Sequence, residues 1–183
     1  ADAVAREKSI DRGIVIAAME DAIAKAAADL AGAVIRPFFR AVPDAELKDD
    51  HSPVTIADRR AEQAMRAVLS ARFPDHGILG EEYGLDRPGA RLRWVLDPID
   101  GTRAFITGRP VFGTLIGLLD GDEAILGIID QPVTAERWIG VAGRPTVFRG
   151  PFGGKTGCRP RVRLAEAELS CTSPDMFASG PVP

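Results

Sequence analysis

Between positions 114 and 148 the chain alternates apolar runs of strand length with tight turns, and this spacing constrains the fold more than any other feature. Residues 114–119, 124–129 and 137–141 are strand candidates. Asp120-Gly121-Asp122 has the composition of a tight hairpin connection between the first two. Gly143-Arg144 makes a similar turn before Thr146-Val147-Phe148. Strands at hairpin spacing pair antiparallel, because a tight turn cannot join parallel neighbours.

The segment before this meander is helical in pattern. Residues 9–39 are rich in alanine and contain no proline before Pro37. Ile10, Ile14, Ala17, Ala18 and Ala22 fall near helical spacing, which predicts a long helix ending near Arg36-Pro37. So many alanines imply close approach to another helix. Thr55-Ile56-Ala57-Asp58 fits a capping box opening a second helix. Ala61, Ala64, Met65, Val68 and Leu69 form its apolar stripe, and Phe73-Pro74 stops it.

Residues 77–80 read as a short strand ending at Glu81-Glu82, and 85–91 as a loop. Trp94-Val95-Leu96 reads as a buried strand that delivers Asp97 at its end. A loop rich in glycine and proline follows at 150–160, then strand candidates at 162–164 and 169–172. Helices first and a meander afterwards predict an α+β fold, a helix pair packed on a mainly antiparallel sheet. The expected division is a metal-site domain over 1–150, with 151–183 as a loop and the start of a second domain.

Composition narrows the function classes. The net charge of −3 offers no broad basic surface for nucleic acid. No run approaches the length of a membrane span. The two cysteines, Cys158 and Cys171, do not make a disulfide scaffold and fit a reducing compartment. A cytoplasmic protein without membrane or nucleic-acid partners is the expectation.

Asp97-Pro98-Ile99-Asp100-Gly101-Thr102, with Glu81-Glu82 upstream, carries the chemistry. Hydrolysis of a phosphate ester requires an activated water, neutralised phosphoryl charge and a stabilised leaving group, all of which paired magnesium ions supply. Magnesium takes oxygen ligands, so clustered carboxylates and carbonyls with few histidines or thiols are the expected donors. Pro98 fixes its own φ and gives a defined turn, which would aim Asp97, Asp100 and the Ile99 carbonyl at one place. Gly101 allows close backbone approach, and its amide and that of Thr102 open a short helix that favours an anion. Taken alone, D-x-x-D-G is most often a plain turn and Glu81-Glu82 plain surface charge. Their conjunction with two apolar runs favours a site.

The run from Trp94 to Thr102 resembles the signature of the inositol monophosphatase family, and Gly80-Glu81-Glu82 resembles its upstream acidic motif. The resemblance spans roughly residues 10–176. Three further segments are similar to the bacterial histidinol-phosphate phosphatase branch: Ser52-Pro53-Val54-Thr55-Ile56-Ala57-Asp58, the stretch 103–110, and Thr172-Ser173-Pro174-Asp175-Met176-Phe177. That likeness implies Mg²⁺-dependent hydrolysis of L-histidinol phosphate in histidine biosynthesis. Inositol monophosphate or another small polyol phosphate is the alternative within the class.

The resemblance also implies roles. Glu81, Asp97 and the Ile99 carbonyl would hold the first magnesium, and Asp97 and Asp100 would share the second. Two or three ions would fill a complete site. Glu81 and Thr102 would orient or deprotonate the attacking water. Gly101 and Thr102 amides would bind phosphate, with Arg103 as a substrate contact. Glu82 would lie behind these ligands, and Lys48 and Asp49 would border the site. The resemblance also allows a homodimer.

The family's members run on into an α/β part that completes a layered αβαβα fold and adds a further aspartate ligand. No later aspartate here takes that role, since Asp175 belongs to another motif. The expectation is a fragment or truncation that holds the second ion poorly and exposes apolar surface. A catalytically weak binding module is the rival from another class. Gly153-Gly154-Lys155-Thr156 suggests a nucleotide-binding loop, but Arg149 occupies the position where that pattern needs glycine. His51 reads as solvent-exposed, His76 as complementing a helix dipole and Asp58 as a cap.

Overall fold

The computed structural model describes residues 12–41, 45–47, 53–157 and 163–168. The first helix, α1, spans Arg12–Ile35 and passes into a single 3₁₀ turn, Arg36–Phe38, at Pro37. Ala24, Ala27, Ala28, Ala31 and Ile35 are fully buried on one stripe. Small side chains there let α1 lie close against α2, Ile56–Arg72. Two three-residue strands, β1 Ala45–Leu47 and β2 Pro53–Thr55, pair antiparallel ahead of α2.

The capping box forms as expected. The Thr55 hydroxyl accepts from the Ala57 and Asp58 amides, and Asp58 Oδ2 accepts from the Thr55 amide at 2.8 Å. The helix ends at Arg72, one residue before Phe73-Pro74.

Among the described residues seven strands form the main sheet, in the order β4-β3-β5-β6-β7-β8-β9. They are β3 Gly77–Gly80, β4 Gly84–Asp86, β5 Leu92–Asp100, β6 Gly113–Asp120, β7 Glu123–Gln131, β8 Glu136–Val141 and β9 Val147–Arg149. The expected hairpins are present: Gly121 has φ 62° in the β6–β7 turn and Gly143 has φ 71° in the β8–β9 turn. All pairings among these seven strands are antiparallel except β3 with β5, which is parallel.

Period-2 alternation gives the sheet two faces. Trp94, Leu96, Ile116, Leu118, Leu126, Ile128 and Ile139 are buried in one core with the two helices. Val95, Leu115, Gly117, Ile129 and Trp138 lie on the other face, around an open apolar trough of about 650 Å³. The fold is thus α+β, with N-terminal helices on a mostly antiparallel sheet. No helix among the described residues is long and apolar enough to cross a membrane.

Two expectations change. Residues 85–91 are not wholly a loop, because β4 pairs with β3 as the sheet's edge strand. Leu164 lies in a 3₁₀ turn, Leu164–Glu166, rather than a strand. Lys48, Asp49, His51, Ser52, Cys158, Cys171, and the 169–172 and 172–177 segments lie outside the described residues.

Candidate active site

The parallel pairing of β3 with β5 builds the site. Gly80 stands opposite Leu96, and the Glu81 amide donates to the Leu96 carbonyl at 3.1 Å. Glu81, just past β3, and Asp97, near the end of β5, therefore lie side by side toward the carboxyl ends of adjacent strands, where open sheets place ligands. An antiparallel pair would have sent them to opposite ends.

Beyond Asp97 the register slips. Asp97 faces Leu115 and Asp100 faces Gly113, so β5 carries one residue more than its partner. Pro98 sits in this bulge and its carbonyl accepts from the buried Thr114 hydroxyl at 2.8 Å. Ile99 is buried and anchors the turn, while its carbonyl accepts from the Thr102 hydroxyl at 3.2 Å. Gly101 has φ 99°, a left-handed conformation, and a Cβ there would come within 3.2 Å of Phe112. It opens α3, Thr102–Ile106, whose Phe105 packs edge-on against Phe112 at 5.2 Å.

Negative charge crowds this corner. Burial first, then a hydrogen bond with Glu81 and the charges of Glu81, Asp100 and Asp58, together raise the Asp97 carboxyl to about 8. Asp97 Oδ1 is buried and has no hydrogen-bond partner among the described residues. Burial also raises Asp58, against the hydrogen bonds from Thr55, and Glu81 adds to the rise. Asp58 is thus both the cap expected from sequence and a fourth acid near the cluster. As they stand, no three acids, histidines or cysteines among the described residues converge closely enough to hold an ion.

A sequence model described as the inositol monophosphatase family matches residues 18–175. The chain belongs to this family. It is 50% identical over 159 residues to the Arabidopsis thaliana "Bifunctional phosphatase IMPL2, chloroplastic", covering 86% of this chain and 45% of that protein. It is 37% identical over 159 residues to a Mycobacterium tuberculosis histidinol-phosphatase, covering 82% and 59%. Among solved structures, an inositol monophosphatase from Zymomonas mobilis aligns at TM-score 0.61 and 59% identity, covering 72% of this chain and 51% of that one. The chain thus spans about half the length of the family members it matches.

The other sequence candidates sort plainly. Arg103 is exposed on α3, with no side-chain partner among the described residues. Lys155 and Thr156 lie in an exposed loop after β9 with no α-helix following among the described residues, so the nucleotide-loop pattern has no structural counterpart. His76 stacks on Phe73 at 4.7 Å, and burial lowers its pKa despite Asp75.

Sequence reasoning missed Glu62. Its side chain is fully buried on α2, where it accepts from the Glu82 amide at 2.7 Å and the Tyr83 amide at 3.2 Å. The available signal was its spacing. Asp58, Glu62, Met65 and Leu69 share one helical face, and two of those four buried positions are acids.

Proposed function

We propose that the protein hydrolyses a small phosphate monoester with magnesium, and that the ester is a polyol phosphate of the inositol monophosphate kind. The observation that carries the chemistry is Asp97, a buried carboxylate with an orphaned oxygen, raised to about 8 partly by the charges of Glu81, Asp100 and Asp58. A divalent cation would relieve that repulsion, and the all-oxygen donors suit magnesium. Membership of the family supports the same reading.

For the substrate, the 59% identity to the Zymomonas mobilis inositol monophosphatase exceeds that to the bifunctional phosphatase, at 50%, and to a histidinol-phosphatase, at 43%. This favours the alternative over the histidinol phosphate expected from the 52–58, 103–110 and 172–177 segments. Histidinol phosphate is the second reading, favoured by relatives named histidinol-phosphatase at 43%, 37% and 35% identity.

Glu81, Asp97 and the Ile99 carbonyl would hold one ion, and Asp97 with Asp100 a second. Bound magnesium activates water and neutralises the phosphoryl charge. The protein's part is to place and hold groups. The Thr102 hydroxyl, fixed at the turn by Ile99, orients a water that Glu81 deprotonates from the neighbouring strand. The Gly101 and Thr102 amides precede the first hydrogen bonds of α3, which Ala104 and Phe105 make to the Gly101 carbonyl, and they bind phosphate oxygens. Arg103 contacts the rest of the substrate.

The test is phosphate release from inositol monophosphate and histidinol phosphate, with and without magnesium, for the parent protein and Asp97→Asn. Faster release from inositol monophosphate, abolished in the variant, is expected. Preference for histidinol phosphate would reverse the substrate order, and hydrolysis undiminished in Asp97→Asn would end the metal-site reading.

A further inference from the structure

Glu81 sits just beyond the end of β3, and its amide, donating to the Leu96 carbonyl at 3.1 Å, makes the last bond to β5 before the chain turns away. Something must hold the turn that follows. That turn, Glu82 to Gly84, is gripped from α2. One Glu62 oxygen, Oε2, accepts from the Glu82 amide at 2.7 Å, and the other, Oε1, from the Tyr83 amide at 3.2 Å. Oε1 also accepts from Arg66 Nε at 2.7 Å, one helical turn on. Arg66 in turn donates from Nη2 to the Gly84 carbonyl and lies 5.9 Å from the Tyr83 ring centroid. An ionised carboxylate with both oxygens engaged by fixed donors is a strong, directional anchor.

The backbone is shaped for this anchor. Gly80 precedes Glu81, and a Cβ there would lie 1.9 Å from Glu62 Oε1 and 2.2 Å from its carboxyl carbon. Its φ is not in the positive range that calls for glycine, so the missing side chain is explained by the space the carboxylate occupies. Gly80 and Glu62 are thus complementary.

We propose that Glu62 is a positioning residue, whose buried carboxylate ties the Glu82 and Tyr83 amides to α2 and thereby sets Glu81 beside Asp97. Glu62 holds the turn on one side of Glu81, and β3 pairing to β5 holds the other. Loss of the anchor leaves Asp97 in place but frees the Glu81 backbone to drift from it. The inference rests on the reading of Glu81 as a magnesium ligand.

The test uses the 183-residue chain and two independent readouts. Magnesium binding is titrated by calorimetry, and exchange of the Glu82 and Tyr83 amides is followed by NMR. The variants are Glu62→Gln, Glu62→Ala, Gly80→Ala and the double variant Glu62→Ala/Gly80→Ala. Leu69→Ala, at the far end of α2, controls for a general loss of stability. Glu62→Gln keeps the size and loses the charge, and should weaken magnesium binding about 10- to 100-fold. Glu62→Ala should also speed exchange of the two amides at least about tenfold, through loss of their acceptor. Gly80→Ala should match Glu62→Gln alone and add nothing in the Glu62→Ala background. Leu69→Ala should leave magnesium affinity unchanged. Unchanged affinity in folded Glu62→Gln, unchanged amide protection in Glu62→Ala, or additive losses in the double variant would overturn the proposal. A parent protein that binds magnesium but hydrolyses no phosphate ester would instead sink the proposed function, and both readouts would still decide the role of Glu62.

Discussion

The Asp97 carboxyl is where fold and chemistry meet. Its Oδ1 lacks a partner among the described residues, and its pKa of about 8 means that the metal-free protein keeps a proton there at neutral pH. The folded value lies above the ordinary carboxylate value, so this group favours the metal-free fold most at low pH. That contribution is lost as pH rises through about 8. Magnesium needs the charged form, so proton and metal compete. Two consequences are expected at pH 7. Titration with magnesium should release close to one proton per first ion bound, read as buffer-dependent heat. Magnesium affinity should fall about tenfold per pH unit from 8 down to 6, and flatten above 8. Affinity independent of pH across that range would show that Asp97 is already ionised without metal.

At the level of elements, what could be read from sequence is what neighbours in sequence decide. The capping box, the stop at Phe73-Pro74 and the Gly121 and Gly143 turns are each set within a few residues, and all form as expected. A clean test is Thr55→Ala, which removes the hydroxyl that accepts from two α2 amides. It should cost about 1 kcal/mol by denaturant unfolding. It should also leave Asp58, a near-neighbour of the acidic cluster, without its closest donor. The parallel β3–β5 pairing was not legible, because Glu81 and Asp97 belong to strands separated by β4, and no local pattern specifies parallel pairing. Glu62 was hidden for a related reason. Glu62 and Arg66 at i, i+4 look like a surface ion pair, and only the packing of α2 under β3 makes that carboxylate fully buried. The acidic motif itself was legible, but not what holds it.

Across the whole molecule the sheet is asymmetric. One face is sealed by α1 and α2, while the other presents Val95, Leu115, Ile129 and Trp138 around an open trough, with Asp97 at its rim. Ile129 alone is 51% exposed. Contiguous apolar surface of this kind drives association, so Ile129→Lys should lower the concentration-dependent sedimentation of the chain. The sealed face has a polar lock as well as an apolar core. Arg137 on β8 donates to Asp130 of β7 at 2.6 Å and to Asp29 of α1 at 2.7 Å, joining helix layer to sheet. Asp130 is buried, and burial raises its pKa while the hydrogen bond from Arg137 pulls it down. Removing the arginine leaves an uncompensated buried carboxylate, whereas the exposed Asp29 is resolvated at little cost. Arg137→Met should therefore cost about 3 kcal/mol at pH 7. The sign of its pH dependence follows from the same carboxylate. Without Arg137 the folded pKa of Asp130 rises further above the unfolded value, so protonation relieves the defect. The stability gap between variant and parent should shrink as pH falls from neutrality toward the ordinary carboxylate range. A gap that stays constant over that range would mean that the lock acts through packing of the arginine stem and not through the buried charge.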